Sequence, residues 1–222
     1  EVDTDELKAL RREVKRLNRE ASSRRAGEAA VLHAVKVLYK DPTDFKLPHK
    51  PAASRKRREE IALLHVTDTQ IGKVTESYDV ATADSRLMLL ADKVRTIVEM
   101  RRTASKVDEL VLVLGGDMVE GEGIFPGQSF EIEGGVFDHA VKYAPEILTR
   151  MTLRLMESFP KLRIISVCGN HGRAAPRSMG SHHRTNWDRV CYEVTKLMLL
   201  GSAGRPELRD RVSFDIPDSF YA

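Results

Sequence analysis

The sequence predicts an α/β domain, a sheet core flanked by helices, with an N-terminal helical basic arm. Three observations carry this expectation. From residue 59 onward a rhythm of strand, loop and helix repeats three times. The strands in that rhythm are continuous apolar runs, the pattern of a sheet covered on its faces. The charge also breaks at Arg58: residues 1–58 hold 16 Lys and Arg against 9 Asp and Glu, a net of +7, and the rest hold 20 against 24, a net of −4. The 222 residues, 41% of them hydrophobic, suffice for one sizeable core and an appendage.

In the arm, Leu7, Leu10, Val14 and Leu17 fall at spacings of three, four and three with charges between them, which predicts an amphipathic helix. Its seam is a candidate surface for a helical partner or a second copy of the chain. A second, more apolar helix is expected from about Glu28 to Tyr39, ended by Asp41-Pro42. The arm thus covers 1–41. Residues 42–58 combine three prolines with a basic cluster and read as a linker, in which "RKRREE" is either a solvated run or a phosphate-contacting patch.

The domain proper starts at 59. Strands are expected at 61–68, 109–117 and 162–170. Helices follow them: one carrying Leu87, Leu90, Val94, Ile97 and Val98, one from about Asp138 to Ser158, and one from about Asn186 to Leu200. No apolar run approaches the roughly 18–20 residues of a membrane span, so no membrane is expected as a partner. Cys168 and Cys191 form neither a disulfide framework nor a metal-ligand spacing, and no basic-then-apolar leader is visible; the expected compartment is the cytoplasm.

The chemistry gathers where each strand stops. The three ends read "DTQ" (68–70), "GGDMVEG" (115–121) and "GNHG" (169–172). Carboxyl ends of strands in α/β sheets converge on one edge, where ligands bind. Asp68, Gln70, Asp117, Asn170 and His171 would meet there as oxygen and nitrogen donors suited to a hard or borderline divalent cation such as Mn²⁺, Mg²⁺, Fe²⁺ or Zn²⁺. Taken singly, an Asp after a strand is more often a cap or turn residue. The joint pattern at three strand ends favours a site.

In order and context, D-x-Q at 68–70, G-D-x-x-E at 116–120 and G-N-H-G at 169–172 resemble the first three motifs of the calcineurin-like metallophosphoesterases, over about residues 60–175. The resemblance implies that residues 59–222 are the N-terminal part of such a domain. It implies two divalent cations, Mn²⁺ foremost, with Asp117 bridging them, Asp68 and Gln70 on the first and Asn170 on the second. His171 would act as general acid or stabilise phosphoryl oxygens, while a hydroxide generated between the cations attacks phosphorus in line. Two departures stand out. Gln70 replaces the family's usual histidine, which biases the first position towards oxygen-preferring cations. The family's later histidines are also missing from this stretch; the expectation is that a longer chain supplies them, with His182 and His183 as substrate contacts or substituted ligands.

For the substrate, the basic arm suits a phosphate backbone. The glycine-rich loop 120–135 carries Phe125 and Phe130, which either stack on bases or pack within the loop. Arg173, Arg177 and Arg184 follow the third motif as candidate phosphate contacts. The "GDMVEG" stretch with its long loop is similar to the nuclease subunit of the SbcD-like double-strand-break repair family, including phage-borne versions. The expected function is a metal-dependent DNA exo- or endonuclease. The alternatives are a small-nucleotide phosphodiesterase or phosphatase, and a nucleic-acid-binding or assembly module with a weakened site.

Overall fold

The computed structural model describes residues 15, 47–51, 58–174, 185–201 and 206–217. The chain divides into two compact units, Glu1–Asp41 and Pro42–Ala222. In the first, Lys15 is helical and exposed, and the predicted helices of the arm otherwise lie outside the described residues.

In the second unit four parallel strands form one sheet in chain order: β1 (Glu59–Val66), β2 (Lys106–Leu114), β3 (Lys161–Ser166) and β4 (Val212–Asp215). The fold is α/β, with helices flanking that sheet. The strands stop two to four residues before the predicted ends at 68, 117 and 170. For β1 and β2 the reason is local: Asp68, Gln70 and Asp117 have φ of 54°, 44° and 52°, and a left-handed residue cannot continue a β ladder. Sequence reading missed β4, whose four residues pair with β3 from Leu162↔Val212 to Ile165↔Asp215.

The first crossover helix, α1 (Val80–Arg102), starts at Asp79, whose side chain accepts the Thr82 N–H at 2.7 Å. It ends on Arg101 and Arg102, cations that complement the helix dipole. The second crossover was expected as one unbroken helix. Instead a short helix α2 (Val136–Asp138) passes into a π-helical turn (His139–Tyr143) and then α3 (Ala144–Met156). Pro145 has no N–H for the carbonyl four residues back, so the ladder widens just before it and the Ala144 N–H reaches His139 O. The last long helix, α4 (Trp187–Leu200), agrees with the predicted span, and a single turn, α5 (Pro206–Arg209), precedes β4. Among the described residues no helix is long and apolar enough to cross a membrane.

Among the described residues the helices gather on one face of the sheet. There Leu110, Leu112, Leu114, Leu162 and Ile164 are buried against Leu87, Met151, Leu155 and Tyr192. The other face differs from the expectation of a sheet covered on both sides: Ile61 is 63% and Leu63 70% exposed on β1. Arg211, just before β4, is buried and donates to the carbonyls of Met156 at 2.7 Å, Phe159 at 3.1 Å and Pro48 at 3.1 Å. Cys168 and Cys191 are free thiols, and burial pushes Cys168 up to about 12.

The two faces should respond differently to truncation. Leu112→Ala leaves a cavity in the packed face and should cost about 2–5 kcal/mol in urea unfolding, whereas Leu63→Ala should stay within about 1 kcal/mol. Similar costs at both positions would show that the Leu63 face is covered in solution.

His139 makes stability acid-sensitive. It is fully buried, its Nε2–H donates to Glu133 O at 2.9 Å, and its Nδ1 has no partner among the described residues. Burial lowers its pKa below the ordinary 6.5, because protonating Nδ1 would create a buried charge. The stabilisation from neutral His139 is therefore complete above pH about 6.5 and is lost as pH falls towards the lower folded value. The melting temperature should drop between pH 7 and 5, and His139→Gln should flatten that drop. An identical pH profile in the variant would contradict this.

Candidate functional site

The loops after β1 and β2 are laced together by backbone bonds. Asp68 N donates to Gly116 O at 3.1 Å, Gln70 N to Asp117 O at 2.9 Å and Ile71 N to Met118 O at 2.8 Å; Glu120 N returns a bond to Ile71 O at 3.0 Å. The Thr69 hydroxyl adds a bond to Met118 O at 2.8 Å. This lattice holds Asp68, Gln70 and Asp117 left-handed, and they are the non-glycine residues with positive φ among the described residues. For residues with a Cβ such backbone costs roughly 1–2 kcal/mol each, so it persists only where surrounding bonds enforce it.

The loop after β3 joins through a side chain that sequence reading missed. Asp188, the second residue of α4, is buried and accepts four backbone N–H groups: Asp117 at 2.9 Å, Met118 at 3.0 Å, Val119 at 3.2 Å and Gly169 at 2.8 Å. Burial pushes its carboxyl up to about 6, assisted by the charge of Asp117 and opposed by those N–H bonds. Asn186 caps α4 by accepting the Asp188 N–H at 2.8 Å and donates from Nδ2 to Gly169 O at 2.9 Å. The approach is close enough to require glycine at two positions: a Cβ at Gly116 would run into the Gly169 backbone, and one at Gly169 into Asp117 Oδ1.

His171 is thereby seated between the other loops. Its N–H donates to Asp117 Oδ1 at 2.6 Å, and its Nδ1 lies 3.0 Å from Glu120 O and 3.3 Å from Glu120 Oε2. Glu120 is 1% exposed, and Gln128 Nε2 donates both to its carbonyl and to its Oε1 at 2.9 Å. With Nδ1–H committed to Glu120, the Nε2 edge is presented to Gln70, whose Nε2 stands 3.5 Å away. Gln70 Oε1 accepts from Lys73 Nζ at 3.2 Å, which fixes which end of the amide faces the imidazole.

Of the residues singled out in the sequence, Asp68, Gln70, Asp117 and His171 are brought together by these bonds. Asn170 is exposed on the adjoining loop, where its carbonyl accepts the Arg173 N–H at 3.4 Å. Arg173 is half-buried and bridges to Asn186. Phe125 is partly exposed and Phe130 is 92% exposed, on a loop tied to the Gly72–Val74 segment by Val74 N to Glu131 O and Glu133 N to Gly72 O. Arg177, His182, His183 and Arg184 lie outside the described residues.

Among the described residues no three His, Cys, Asp or Glu side chains form a cation cluster, so the implied cations would rest on carboxylate and amide donors together. Asp68 and Asp117 offer carboxylates and the exposed Asn170 an amide oxygen, a hard set appropriate to Mn²⁺ or Mg²⁺. The left-handed backbones at Asp68 and Asp117 keep the two carboxylates on adjoining loops. Glu120 was visible as the last letter of G-D-x-x-E. Asp188 left a fainter signal, an acid two residues after an Asn at a predicted helix start. Neither a family model nor a curated protein matches the chain.

Asp188→Ala should strip the acceptor from four buried donors and cost at least about 3 kcal/mol in denaturant unfolding, with Asp188→Asn intermediate. A loss below about 0.5 kcal/mol in Asp188→Ala would contradict the bracing role.

Proposed function

We propose that the chain is a metal-dependent phosphodiester hydrolase, with DNA as the substrate class. The observation that carries the reading is that left-handed Gln70 and Asp117 both reach His171, whose Nδ1 is held by the buried Glu120, while left-handed Asp68 is bonded to Gly116 beside Asp117. Strained backbone concentrated at one sheet edge is a signature of a functional site. Asp68, Asp117 and Asn170, with Gln70, are the residues proposed to hold two divalent cations. Such cations supply Lewis-acid charge and a nucleophile at neutral pH.

His171 has the geometry of a proton donor. Glu120 at Nδ1 orients the ring, so that a proton carried on Nε2 is aimed at the site for transfer to a departing oxygen. The net charge of +7 over residues 1–58 supports nucleic acid as the partner. The competing reading, a binding module with a weakened site, is favoured by one observation: the Gln70 amide is already engaged by Lys73 and His171.

Asp117→Asn should abolish Mn²⁺-dependent hydrolysis of bis-p-nitrophenyl phosphate in folded protein, and retained turnover would sink the assignment. His171→Ala should lose roughly 10²–10⁴-fold on DNA and less on the nitrophenyl ester, whose leaving group needs little protonation. Equal losses on the two substrates would argue against a proton-donor role.

A further inference from the structure

Lys73 belongs to no motif noted in the sequence, yet its head group stands within the site. Nζ is 3.2 Å from Gln70 Oε1 and 3.8 Å from Glu120 Oε1, so the Gln70 amide links an ammonium on one side to the His171 imidazole on the other. The stalk is fixed: Lys73 N donates to Gln70 O at 3.0 Å, and Lys73 pairs with Ile132 of the long loop. The ion pair with Glu120, at 3.8 Å, is longer than a hydrogen bond and leaves the ammonium's N–H groups available. Glu120 Oε1 already accepts from Gln128 at 2.9 Å, and the lysine side chain stays 31% exposed.

An ammonium carries three donors, and the contact with Gln70 occupies one. Its position coincides with the side of the site where the sequence has an amide in place of the imidazole that the family resemblance calls for. A neutral amide donates less electron density to a cation there, whereas a fixed ammonium attracts an anionic oxygen directly.

We propose that Lys73 is a phosphate-binding residue of this site, its ammonium contacting a non-bridging oxygen of the phosphoester next to the oxygen that His171 protonates. The inference rests on the hydrolase reading and deepens it by assigning part of the positive charge to the protein itself. Gln70, proposed above as a cation donor, then also positions Lys73 beside His171.

The test is calorimetric titration of inorganic phosphate into the whole chain with saturating Mn²⁺, at two ionic strengths, alongside Mn²⁺ stoichiometry and thermal melting. Lys73→Ala should weaken phosphate binding roughly 10- to 100-fold and reduce its salt dependence, with the Mn²⁺ stoichiometry unchanged. Lys73→Arg should recover most of the affinity. If Lys73→Ala melts too low to titrate, Lys73→Gln keeps a hydrogen bond to Gln70 without the charge and should show the same loss. Wild-type phosphate affinity in either folded variant overturns the inference while leaving the hydrolase reading intact. A wild-type chain that neither binds phosphate nor hydrolyses a diester overturns both.

Discussion

One buried carboxylate holds the strand-end loops in register. Asp188 accepts N–H groups from three consecutive residues after β2 and from Gly169 after β3, so two loops that share no β ladder are bound to the same pair of oxygens. The carboxylate is itself fixed by the Asn186 cap, which ties helix α4 to the same loop. Everything downstream follows from that register. The glycines at 116 and 169 can touch, Asp117 Oδ1 comes within reach of the His171 N–H, and the imidazole then falls between Glu120 and Gln70.

The register is what sustains an unfavourable backbone. Three left-handed side-chain-bearing residues together cost several kcal/mol, of the order of the margin by which a small domain is stable. Cross-loop bonds from Gln70 to Asp117 and from Ile71 to Met118 offset that cost, and the buried strands β2 and β3 give the loops a rigid base. His139 belongs to the same layer, because its ring packs against Gly72, two residues beyond Gln70.

Much of this was legible in the sequence because it depends on local pattern. Continuous apolar runs marked three of the strands, and polar residues with glycine marked where they end. Helix α4 was legible from Asn186 through Leu200 because cap and periodicity agree. What escaped depends on long-range contact. Asp188 looks like an ordinary first-turn acid until burial and four distant N–H groups define it, and Lys73 gains meaning only from the Gln70 and Glu120 oxygens beside it. The π turn was hidden because helical periodicity survives one widened turn. Strand β4 was hidden because four residues are too few to show a period.

Whether this edge of the sheet is a divalent-cation site can be read by diffraction from crystals of the whole chain grown with Mn²⁺. Anomalous density should appear bounded by the Asp68 and Asp117 carboxylates and the Asn170 amide. Well-ordered crystals at saturating Mn²⁺ with those side chains clear and no anomalous peak among them would contradict a cation site there.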